Sequence, residues 1–124
     1  MAEPLVLVVD DEPLLRLNAV AVLEDAGYAT LQAGSANKAI EQLEANAGIR
    51  AVFTDVDMPG GMDGLQLAAV IRDRWPPVEL LVTSGHVSVE HGQLPERGHF
   101  LPKPYSPHQL TRALETLRLP ANSR

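Results

Sequence analysis

Short apolar runs alternate along the chain with longer stretches of helical period. Leu5-Val6-Leu7-Val8-Val9 is unbroken apolar sequence, the pattern of a strand buried on both faces. Pro13 suits the first turn of a helix, where its missing N–H leaves nothing unsatisfied. That helix is expected to run to about Ala26 and stop at Gly27. Tyr28 to Gln32 reads as a second strand, and Ser35 to Asn46 as a second helix stopped near Gly48. Ala51-Val52-Phe53-Thr54 reads as a third strand ending at Asp55. Leu65 to Arg74 is a third helix closed by Pro76-Pro77, Leu80-Leu81-Val82-Thr83 a fourth strand, and Phe100-Leu101 a short fifth. Ser106 is a cap before a first-turn proline, Pro107. Leu110, Ala113, Leu114 and Leu117 then mark one face of a final helix. Val87 to His99 breaks the pattern with Gly92, Pro95 and Gly98, which predicts an irregular loop or one short helical turn.

Five strands alternating with four or five helices imply an α/β fold, with parallel strands joined by right-handed crossovers. A doubly wound sheet of this kind places its ligand site beyond the carboxyl ends of its strands. The 124 residues suit one domain. With 45% apolar residues, a core needs no covalent staples. The absence of cysteine excludes disulfides, thiolate metal sites and a cysteine nucleophile. The net charge of −6, with Lys and Arg scattered singly, argues against direct nucleic-acid binding. The N-terminus lacks the pattern of a signal peptide, and no apolar run approaches the ~20 residues that span a bilayer. The expectation is a cytoplasmic protein with no membrane association.

The sheet-edge rule gives particular residues a common place. Asp10 and Asp11 follow the first strand, Asp55 the third, Ser84 the fourth and Lys103 the fifth. Three carboxylates gathered at one edge repel one another by ~1 kcal/mol per pair in water, and by more where water is excluded. Such a cluster calls for a counter-charge, from a hard divalent cation such as Mg²⁺ with oxygen ligands and from Lys103. With that charge in place Asp55 can attack a phosphoryl group and form an aspartyl phosphate, with Lys103 countering charge on the transferring oxygens. Each residue also has a plain reading. Asp10-Asp11 can be a helix N-cap pair, Asp55 a turn residue and Lys103 a surface lysine. Their joint placement is harder to explain that way.

These segments carry a resemblance. Val8-Val9-Asp10-Asp11-Glu12-Pro13, Thr54-Asp55-Val56-Asp57-Met58-Pro59, Met62-Asp63-Gly64, Val82-Thr83-Ser84-Gly85 and Leu101-Pro102-Lys103-Pro104-Tyr105 resemble, in this order and spacing, the receiver domain of bacterial response regulators. The resemblance implies a flavodoxin-like (CheY-like) doubly wound five-stranded parallel sheet of strand order 2-1-3-4-5. The helix between the fourth and fifth strands would be short or eroded, because residues between Ser84 and Lys103 are few and hold Pro95. It implies Asp55 as phosphoacceptor, Asp11 as a direct Mg²⁺ ligand and Asp10 as an acidic partner acting through water. The backbone carbonyl of Asp57 matches a further ligand. Lys103 would bind the phosphoryl group, and the Lys103-Pro104 bond would be cis. Phe100 stands at the switch-aromatic position. Ser84 is the favoured switch hydroxyl, followed as it is by the small Gly85, with Thr83 the alternative. Asp57 and His86 would tune the later loss of phosphate to water.

By the same resemblance, the donor is a phosphohistidine on a sensor histidine kinase or a histidine phosphotransfer protein, and a downstream protein reads the switch or receives the phosphate. The module is not a turnover enzyme beyond its own Mg²⁺-dependent phosphorylation and slow dephosphorylation. Residues 3–119 are expected to form the receiver and 120–124 a short tail, without an output domain. Two rival readings remain. Asp55-Val56-Asp57 after an apolar strand also resembles the nucleophile and acid/base pair of haloacid-dehalogenase-type phosphatases, although Pro59 and the missing later acidic pair count against it. A pseudo-receiver that only binds partners is the other. His91, His99 and His108 lack metal-like spacing, and Trp75 reads as a helix-end packing residue.

Overall fold

The computed structural model describes residues 3–85 and 94–120. Its elements run β1 (Leu5–Val9), α1 (Pro13–Asp25), β2 (Ala29–Ala33), α2 (Ala36–Ala45), β3 (Ile49–Asp55), α3 (Gly64–Arg74), β4 (Glu79–Ser84), β5 (Gly98–Pro102) and α4 (Pro107–Thr116). The five strands form one parallel sheet in the order β2-β1-β3-β4-β5.

Strand alternation divides the core in two. Leu7, Val52 and Leu80 point to the face covered by α2 and α3, where they meet Leu43, Leu67 and Ile71. Val6, Val8 and Leu81 point to the other face, against Leu23 of α1 and Leu110 and Leu114 of α4. A sheet covered on both sides has strands that are apolar at every position, hence the unbroken run of β1.

Helix ends follow local chemistry. Gly27, at φ 98°, takes the left-handed conformation that ends α1. The Ser35 hydroxyl accepts from the Lys38 N–H at the start of α2. Capping boxes open α3 (Asp63 with Gln66) and α4 (Ser106 with Gln109). The reading of Asp10-Asp11 as a cap pair does not hold. The N-cap of α1 is Glu12, which makes no side-chain cap bond.

Boundaries differ from the sequence reading by a residue or two. Tyr28 lies outside β2, which extends to Ala33, and β5 starts at Gly98 rather than Phe100. The expected short or eroded helix between β4 and β5 falls on residues outside those described, as do His86 and His91. His99 and His108 are exposed. Trp75 is the C-cap of α3, packed against the core with the Arg74 guanidinium 4.3 Å over its ring.

Candidate functional site

The sheet delivers its carboxyl-edge residues to one place. Asp55 is the last residue of β3 and Ser84 the last of β4, while Asp10 and Lys103 each follow their strand by one. Backbone bonds lock the connecting loops to neighbouring strands. The Asp10 N–H donates to the Ala33 carbonyl at 3.2 Å, that of Val56 to Thr83 at 2.9 Å, and that of Lys103 to Ser84 at 3.1 Å.

Carboxylate oxygens of Asp10, Asp11 and Asp55 all lie within 4.8 Å of one another. Asp10 and Asp55 are buried, with 8% and 5% of their surface exposed, and Asp11 is the most open of the three. The Lys103 ammonium lies 3.4 Å from Asp55 Oδ2. Asp10 Oδ1 accepts from the Glu12 N–H at 2.9 Å, and Asp55 Oδ1 from the Asp57 N–H at 3.3 Å.

Burial raises the pKa of Asp55, opposed by Lys103 and the Asp57 N–H and reinforced by Asp10. Burial likewise raises that of Asp10, against the Glu12 N–H and Lys103. One ammonium does not balance three carboxylates. The oxygen-only donor set fits a hard divalent cation.

The two adjacent hydroxyls of β4 behave differently. Ser84 Oγ donates to Asp57 Oδ2 at 2.9 Å. Thr83 Oγ1 is buried and has no hydrogen-bond partner among the described residues. Phe100 is half-buried and packs on the α2/α3 face of the sheet. The Lys103-Pro104 peptide is cis.

Three residues given no separate role in the sequence reading also shape the site. Gly64 opens α3 directly beneath Asp55. A Cβ there would overlap the Asp55 carbonyl oxygen and stand 2.8 Å from Val56 Cα. Arg16 donates from Nη1 to the Asp10 carbonyl at 2.7 Å and from Nε to Gln32 Oε1 at 3.0 Å, pinning the β1–α1 loop. Tyr105 packs edge-on against Phe53 at 5.8 Å between ring centres. Burial, then Asp10 and Asp55, push its phenol up to about 12. Gly64 and Tyr105 lie inside the quoted segments, whereas Arg16 carries no sequence signal beyond its helical position. A pocket of about 230 Å³ opens beside the cluster, lined by Asp10, Leu15, Asn18, Lys103, Pro104 and Tyr105.

The response regulator receiver domain family matches residues 6–115. The chain belongs to this family. It is 35% identical over 122 residues to the nitrogen assimilation regulatory protein NtrX of Azorhizobium caulinodans, covering 92% of this chain and 27% of that protein. It is 34% identical over 116 residues to the sensor kinase CckA of Brucella abortus, covering 90% of this chain and 12% of that one. The receiver thus spans a minor part of these relatives. Among solved structures, a response regulator receiver protein from Sinorhizobium medicae superposes with a TM-score of 0.85 at 34% identity, covering 93% of this chain and 94% of that one. The receiver domain of NtrX from Brucella abortus superposes with a TM-score of 0.81 at 32% identity, covering 90% and 95%. The CheY-like sheet order agrees with these matches. Membership favours the receiver reading over the dehalogenase-type phosphatase.

Proposed function

We propose that this receiver accepts a phosphoryl group on Asp55 from a phosphohistidine of a sensor kinase or phosphotransfer protein, and that the modified site changes what the protein binds or passes the phosphate onward. The observation that carries this reading is the convergence of the Asp10, Asp11 and Asp55 carboxylates within 4.8 Å, with the Lys103 ammonium 3.4 Å from Asp55.

Mg²⁺ would be held by Asp10, Asp11, Asp55 and the backbone carbonyl of Asp57, with Asp10 acting largely through water. When bound, it supplies positive charge against the transferring oxygens. The remaining steps belong to the chain. An Asp55 carboxylate oxygen forms a bond to phosphorus as the bond from phosphorus to the donor's imidazole nitrogen breaks, and the electron pair leaves with the imidazole. Lys103, whose ammonium lies 3.4 Å from Asp55 Oδ2, meets the new negative charge. Ser84 donates its hydroxyl to a phosphoryl oxygen, and Phe100 turns inward behind it. This redistributes the protein between two states rather than creating a new one, so a partner responds only if it binds them unequally. A cytoplasmic location suits a donor of this kind.

The test is labelling. Acetyl phosphate or a phosphorylated kinase is expected to label the protein with an acid-labile phosphate in the presence of Mg²⁺ but not with a chelator. The Asp55→Asn variant should take up none. Persistent labelling of that variant moves the acceptor elsewhere. A folded wild-type protein that resists every donor is instead the pseudo-receiver.

A further inference from the structure

The Asp57 side chain has a hydrogen-bonding role that its backbone carbonyl does not require. Its Oδ2 accepts the Ser84 hydroxyl at 2.9 Å, while its N–H donates to Asp55 Oδ1 at 3.3 Å. One residue thus grips both the reacting carboxylate and the neighbouring hydroxyl. The Ser84 carbonyl accepts the Lys103 N–H at 3.1 Å, which ties the end of β4 to the residue after β5, and only 2% of Ser84 is exposed.

A hydroxyl has one hydrogen to give. If Ser84 donates it to a phosphoryl oxygen on Asp55, it cannot also donate it to Asp57. We propose that the Asp57 carboxylate is a positioning residue that holds the Ser84 hydroxyl on itself, so that capture of Ser84 by an anion on Asp55 must break the Asp57–Ser84 bond. Asp57 then sets the resting bias of the switch. This is distinct from any influence on water attack, and it rests on the reading of Asp55 as phosphoacceptor. A hydrogen bond to an ionised carboxylate is strong enough for its loss to shift the balance about tenfold or more.

The test uses the full chain with excess Mg²⁺ and beryllofluoride, a phosphoryl analogue that adds to a carboxylate oxygen. Calorimetric affinities are compared for the wild type, Asp57→Ala, Ser84→Ala and the double variant. Removing the Asp57 charge favours an anion in either background. The hydrogen bond appears only as the non-additive remainder. Asp57→Ala is expected to tighten binding about tenfold more when Ser84 is present than in the Ser84→Ala background. Equal gains in both backgrounds overturn the latch and leave charge alone. Asp57→Asn supplies a check that does not depend on the folding of Ser84→Ala. It keeps an acceptor for the hydroxyl and removes the charge, so its gain should fall well short of that of Asp57→Ala. Identical gains again overturn the proposal. Should none of the folded proteins bind the analogue, the reading of Asp55 fails and the latch with it. Binding by all of them without coupling removes the latch alone.

Discussion

Two buried carboxylates held side by side are a liability at the scale of single residues. Burial is the largest influence on both Asp10 and Asp55; Asp10 raises the pKa of Asp55 further, and Asp11 and Glu12 raise that of Asp10. For Asp10 the sign follows from linkage. The unfolded chain ionises near the ordinary 3.8, whereas the folded protein keeps its proton to higher pH. Stability is therefore lost as pH rises from that value through the raised one, and the loss persists at neutrality. Asp10→Asn removes the charge yet keeps an oxygen to accept the Glu12 N–H, the bond Oδ1 makes at 2.9 Å. In chelator, the variant is expected to melt a few degrees above wild type at pH 7, with the difference closing near pH 3. Thermal denaturation followed by circular dichroism across that range measures it. A gain independent of pH would point to repacking rather than to charge.

At the scale of elements, α3 couples its own start to the end of β3, where Asp55 stands. The Gly64 N–H donates to the Val56 carbonyl at 3.0 Å, and the capping box of Asp63 and Gln66 fixes where the helix begins. No side chain fits between this first turn and the Asp55 carbonyl. Gly64→Ala must move the helix or the strand end, at about 1–3 kcal/mol for overpacking. The urea midpoint should fall, and labelling of Asp55 should slow as its carboxylate shifts. An unchanged midpoint and rate would show that the junction is slack. Sequence alone announced the strand end at Asp55 and the Met62-Asp63-Gly64 segment, because apolar runs and caps are written locally. It did not announce the close approach of Gly64 to Asp55, because that contact depends on how α3 is seated against β3. The Asp57–Ser84 bond was hidden for the same reason. Its partners are 27 residues apart and meet only after β3 and β4 pair. The pleat predicted that Thr83 and Ser84 point to opposite sides of the sheet, and strand ends erred only where fraying is ordinary. The N-cap reading of Asp10-Asp11 failed because Asp10 turns its oxygen onto the Glu12 N–H and leaves the cap position to Glu12.

The whole molecule carries a net charge of −6 and concentrates three of its negative charges at one edge of the sheet. A cation bound only by the folded arrangement stabilises it by mass action, by about 2.7 kcal/mol at 100 times its dissociation constant. Added Mg²⁺ is therefore expected to raise the melting temperature by several degrees, and EDTA to reverse the rise. Diffuse screening of an acidic protein also stabilises it, but that contribution depends on ionic strength rather than on the particular ion. Comparison with NaCl at matched ionic strength isolates bound metal. The Asp11→Asn variant removes a proposed ligand while leaving the buried pair of Asp10 and Asp55 in place. Its melting temperature should respond to Mg²⁺ no more than to NaCl. If wild type and Asp11→Asn gain equally from Mg²⁺, the cation is acting on the acidic surface at large, and the converging carboxylates are not its site.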